Sequence, residues 1–233
     1  AWSVRSRQVF LSESLRQAGE KAAPQTTGVL TYLVNAIGKG NPEANSSALV
    51  PYSMVSAVNP SKANFLPDDL KDDEIVLGQW AAGDLNASAG DAISLSYFAV
   101  GERRKLLEKT QTFRLRATTP LPAKVPEDQE SDWTPLFPGL SDAESCGEWD
   151  TGIPIKHKVR SKDEDYWDDY RGSPKAFVSL AAGQTMWGNR WGSLTGLRVA
   201  KEDASQEDIN KTLRSELTAS EAGLLFRSLR QDA

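Results

Sequence analysis

The chain has 233 residues, enough for one large domain or two small ones with a sizeable buried core. A quarter of the residues are charged and the net charge is −5, without a block of Lys and Arg. This excludes the phosphate-neutralising surface that nucleic-acid binding requires. The single Cys146 excludes an intrachain disulfide, and no apolar run approaches the ~20 residues of a membrane-spanning helix.

In chain order, residues 2–7 are polar and basic with no hydrophobic signal-peptide core behind them, and the chain starts with Ala. It therefore reads as a processed product or a piece of a longer protein. Val9-Phe10-Leu11 predicts a short strand, and Ser12 caps a helix to about residue 19. Residues 29–37 are apolar on both alternating faces, which predicts a strand buried on both sides. Residues 38–47 form a polar turn, and 49–58 a second strand whose start Pro51 pushes to an edge or bulge; together the two make a hairpin.

A connector, 59–73, leads into the most regular part of the chain, 74–117. Ile75-Val76-Leu77 opens it as a strand, followed by a small-residue helix with Trp80, Ala81, Ala82 and Leu85, and a turn at Gly90-Asp91. The next strand places Ile93, Leu95, Tyr97 and Ala99 on one face. A charged tip at 101–104 returns into a strand with Gln111, Phe113, Leu115 and Ala117 on one face. Residues 118–174 have no sustained period, apart from a short helix at 163–170; so long an irregular segment is usually functional. A strand at 176–180, a helix at 181–189 with Met186 and Trp187, and a strand at 194–200 follow. Ser205 then caps an amphipathic helix carrying Ile209, Leu213 and Leu217, and Leu224-Leu225-Phe226 starts a last strand. Strands and helices intermix without a βαβ rhythm, so the fold class is α+β.

Candidate chemistry is sparse. Cys146 as a nucleophile would need a base, and the one histidine, His157, lies in a loop-like stretch. The run Asp163-Glu164-Asp165-Tyr166-Trp167-Asp168-Asp169 offers oxygens for Ca²⁺ but lacks the EF-hand spacing. The competing reading is a solvated acidic helix start, favoured by the helix dipole, with Tyr166, Trp167 and Tyr170 packing inward. The same carboxylates, with tryptophans to stack on sugar rings, also fit a secreted carbohydrate-binding or glycan-hydrolysing module. Trp80 and Trp187 read as core. Trp133, Trp149, Trp167 and Trp191, in or near the irregular segment, either pin it or form a partner surface.

One resemblance adds to this. Glu74-Ile75-Val76-Leu77, Trp80-Ala81-Ala82-Gly83-Asp84-Leu85 and Gly90-Asp91-Ala92-Ile93-Ser94-Leu95 resemble a consecutive segment of the extracytoplasmic domains of FtsX/MacB-like ABC-transporter permeases. Thr112-Phe113-Arg114-Leu115-Arg116-Ala117 is similar to that family's return strand, with Ala117 where Gly is usual. Ala176 to Gln184 is similar to its strand-and-small-residue-helix signature, with Ser179 where Pro is common. Leu194 to Val199 and the helix after Ser205 match the closing strand and helix, whereas 118–174 departs from the pattern as an insertion.

The resemblance implies a two-lobed MacB-like periplasmic domain. One lobe is built from 1–60 plus 175–233, a smaller α/β lobe from 61–117 is inserted into it, and 118–174 is the insertion. It further implies a non-catalytic part of an inner-membrane permease, lying on the periplasmic side between two transmembrane helices, with no cofactor or metal of its own. A cytoplasmic ATPase subunit would supply the ATP chemistry; a periplasmic partner or a lipophilic or peptide substrate, and a dimer in the parent transporter, complete the implied partners. Contact residues are expected on the irregular segment at Trp133, Phe137, Trp149, Tyr166 and Trp167. Removing 126–171 is then expected to leave the fold intact.

Overall fold

A computed structural model describes residues 1–40, 48–101, 105–120, 122–125, 131, 133–135, 137, 139–141, 143–149, 152 and 154–218. The expected last strand at 224–226, most of the 38–47 turn and most of the 101–104 tip lie outside them.

The described residues form a mixed α+β structure around one sheet. Its strands are β1 (Trp2–Arg5), β2 (Thr27–Lys39), β3 (Leu49–Val58), β4 (Glu74–Gly78), β5 (Ala92–Val100), β6 (Leu106–Thr119), β7 (Ala176–Ser179) and β8 (Gly196–Val199). The helices are α1 (Glu13–Ala22), α2 (Gln79–Asp84), α3 (Ser161–Tyr170), α4 (Leu180–Trp187) and α5 (Gln206–Glu216). Ser12 and Ser205 cap α1 and α5 as expected, their hydroxyls accepting from the Leu15 and Asp208 amides. Ser179 is also a cap: its hydroxyl accepts from the Ala182 amide at the start of α4 and donates to Asp72.

The sheet closes on itself. β2 pairs antiparallel with β3, β3 parallel with β7, β7 antiparallel with β4, β4 parallel with β6, β6 antiparallel with β5, and β5 antiparallel with β2. Closure of this kind removes most free edges. β8 pairs with the first residues of β2, and β1 with β8, as a flap on the ring. Every ring strand contributes to one core, including Leu30, Val55, Leu77, Leu95, Phe113 and Val178, which also takes in Ala81 of α2 and Trp187 of α4. The ring draws its six strands from 27–58, 74–119 and 176–179. α4 lies so close to β3 that a Cβ on Gly183 would sit 2.1 Å from the Ala57 Cβ, so only glycine fits there.

β2 is buried on both sides because residues after 118 cover its second face. Trp167, Leu140 and Cys146 pack with Met54 of β3 and against Leu33 of β2. The expectation that 126–171 is dispensable is thereby corrected, since its removal would strip this cover from the sheet.

Three local readings change. Val9-Phe10-Leu11 is not a strand: Val9 takes a φ of 67°, and the pairing is made earlier, by Trp2–Arg5 against β8. The β2–β3 ladder is interrupted between Val34↔Ser53 and Ala36↔Pro51, where Tyr52 has a φ of 37°, and beyond it Ile37 joins the same core as Leu30 and Val34. A bulge between β4 and β6 sets Ala117 opposite Val76, while Leu115 stays opposite Ile75. Ala117 therefore joins the Val76–Phe177 cluster instead of the Phe113–Leu115 face, because one extra residue moves all that follows to the other side.

Candidate functional site

The aromatic residues of the irregular segment divide between two places. Phe137, Trp149 and Trp167 gather with Met54, Leu140 and Cys146; the Trp149 and Trp167 rings meet edge to face at 5.1 Å. Trp167 is 5% exposed, which anchors the segment but leaves no face for a sugar ring. Trp133 and Tyr166 go elsewhere, to a cavity of about 470 Å³ walled also by Phe65, Trp80 and Phe177, with Pro122 and Ala123 at its rim. Trp133 is held edge-on by Phe65 at 5.3 Å and covered by the Arg198 guanidinium at 4.0 Å.

Lys175 also lines this cavity and is only 5% exposed. Its backbone is clamped from both sides: its N–H donates to the Met54 carbonyl at 2.9 Å, and its carbonyl accepts from the Gly78 N–H at 2.8 Å. The ammonium rests on two ring faces, 4.4 Å from the Trp80 centroid and 4.5 Å from that of Tyr166. Burial pulls its pKa down to about 8, the nearby Asp163 carboxylate opposing that fall in part.

Asp163 belongs to an ion-pair network at the start of α3. It accepts from the Arg160 backbone N–H at 2.9 Å and from the guanidinium at 2.7 Å, while Arg160 also donates to Asp84 at 2.7 Å. Lys162 also pairs with Asp84. Burial alone would raise the Asp163 carboxyl, but the Arg160 hydrogen bonds and the charge of Lys175 hold it below the usual carboxylate range. Two other carboxylates of the run are committed, Glu164 accepting from the Cys146 amide at 2.9 Å and Asp169 from Lys124 at 2.7 Å, while Asp165 and Asp168 face solvent. Among the described residues no three His, Cys, Asp or Glu side chains converge to hold a metal ion. These commitments, with the burial of Trp167, leave the carbohydrate reading unsupported. Burial, with Glu164 beside it, pushes the Cys146 thiol far up, keeping it protonated and a poor nucleophile.

A different surface carries exposed apolar groups. At the end of the β5–β6 hairpin, Val100 is 48% and Leu107 49% exposed, with Leu106 beside them. Neither this patch nor Lys175 stands out in the sequence. A lysine between Pro174 and an apolar strand looks like a solvated strand start, and its burial depends on α2 and α3 arriving from elsewhere.

No family model matches the chain, and no curated protein sequence matches it. Among solved structures the fold is similar to the periplasmic region of MacB from Actinobacillus actinomycetemcomitans, at 10% identity over 94% of this chain and 78% of that one, with a TM-score of 0.47. No helix among the described residues is long and apolar enough to cross a membrane.

Proposed function

We propose that this chain is a non-catalytic extracytoplasmic domain of an FtsX/MacB-like ABC-transporter permease. It couples the ATPase-driven motion of flanking transmembrane helices to the handling of a substrate or partner outside the membrane. The observation that supports the reading is the order of the family-like segments, which follows the order of the elements. Residues 74–77 are in β4, 80–85 run through α2 to the residue after it, 90–95 lead from a turn into β5, 112–117 are in β6, 176–184 run from β7 into α4, and 194–199 lead into β8, with α5 after Ser205.

The two ends of the described chain also lie together, as a domain tethered at both ends requires. β1 pairs with β8, the Trp2 indole donates to the Ala204 carbonyl at 3.1 Å, and Lys21 of α1 pairs with Glu216 of α5 at 2.7 Å. In this reading the parent lies in the inner membrane, a cytoplasmic ATPase subunit hydrolyses ATP, and the permease works as a dimer. Partner contact falls on the exposed Val100, Leu106 and Leu107, where contiguous apolar groups favour an interface. Trp133 and Tyr166 serve the cavity.

Labelling in intact cells tests the placement. Native Cys146 is buried, so a Lys109→Cys variant of the parent protein adds one exposed thiol on β6. A membrane-impermeant maleimide is expected to label it without permeabilisation. Labelling only after lysis would refute the extracytoplasmic placement.

A further inference from the structure

We propose that the cavity over Lys175 binds a small amphipathic organic anion, with a single carboxylate head on an apolar body. The inference does not depend on the permease reading, because it rests on the cavity alone.

The first observation is the state of the cation. Among the described residues the Lys175 ammonium donates no hydrogen bond; the nearest carboxylate oxygen, Asp163 Oδ1, is 3.9 Å away and is already held by Arg160. Three N–H donors facing two rings without an acceptor are costly to bury. A carboxylate entering the cavity would supply acceptors and countercharge together. The second observation is the container. A volume of about 470 Å³ lies in the range of small-molecule sites, and its walls are mainly apolar, five aromatic rings among them, with a few hydroxyls such as Thr119, Ser131 and Ser173. The third is the count of charges. Lys124 at the rim pairs with Asp169 at 2.7 Å, so among the described lining residues Lys175 is the cation that remains for the ligand. One ammonium without a guanidinium fork fits a monoanion better than a phosphate. Backbone hydrogen bonds to β3 and to the end of β4 fix the base of the lysine, and the Trp80 and Tyr166 rings hold its head, so the group is preorganised.

Octanoate, octan-1-ol and octylamine titrated calorimetrically into the full 233-residue chain provide the test. Octanoate is expected to bind with a Kd below ~1 mM, octanol about tenfold more weakly, and octylamine undetectably. Lys175→Met should bring octanoate and octanol to equal affinity while melting no lower than the wild type, since it removes a buried charge. Ala123→Trp, at the exposed rim, should block octanoate with an unchanged circular dichroism spectrum. Absence of octanoate binding to the wild type, or unchanged affinity in either variant, overturns the proposal.

Discussion

Trp187→Ala is expected to destabilise the chain by about 4 kcal/mol, the cost of emptying a large aromatic site in a packed core. Trp187 closes α4 over the ring at 3% exposure, stacking on Tyr32 at 5.3 Å with planes 4° apart and meeting Tyr97 edge-on at 6.0 Å. The indole N–H has no hydrogen-bond partner among the described residues, so its packing, not a hydrogen bond, is what the substitution removes. For a chain of this size the loss lowers Tm by roughly 8–16 °C. Trp187→Phe keeps most of the ring and should cost only ~1.5 kcal/mol. Thermal unfolding followed by circular dichroism checks both; equal losses in the two variants would show that the indole nitrogen matters after all.

Arg160→Ala is the second large effect. Its guanidinium is the shared partner of Asp163 and Asp84, whose side chains are 4% and 6% exposed. Removing one partner of a buried pair leaves uncompensated charge, at a cost of about 3 kcal/mol here, the low end of the usual range because Arg160 is 31% exposed and Lys162 still reaches Asp84. The loss depends on pH. The folded pKa of Asp163 is depressed, so its contribution is fully present above the unfolded carboxylate value of about 3.9 and disappears as pH falls through the folded value. The gap between wild type and Arg160→Ala should therefore be full at pH 6 and shrink below about pH 4. Urea unfolding at both pH values measures it. An Arg160→Ala/Asp163→Asn double variant should lose less than the sum of the singles, because the stranded charge is gone.

What could be read in the sequence follows the range of the forces involved. The caps at Ser12 and Ser205 and the alternation of Ile93, Leu95 and Tyr97 are set within a few residues, and they are where they were expected. Val9-Phe10-Leu11 misleads because strand pairing is a long-range choice: β8 selects residues 2–5 as its neighbour, and Leu11 is buried without joining the sheet. The face of Ala117 depends on a bulge against β4 that no periodicity announces. The candidate site is the extreme case. Trp80 and Tyr166 were legible as inward-facing, but nothing local to Lys175 says that both rings will close over it. Its surroundings are assembled from β3, β4, α2 and α3.

The proposed tether between two membrane helices of a permease is open to a direct check, sequencing the gene on either side of codons 1 and 233. A run of about 20 apolar residues is expected shortly before the first codon and another shortly after the last. A reading frame with no such run on either side would contradict it.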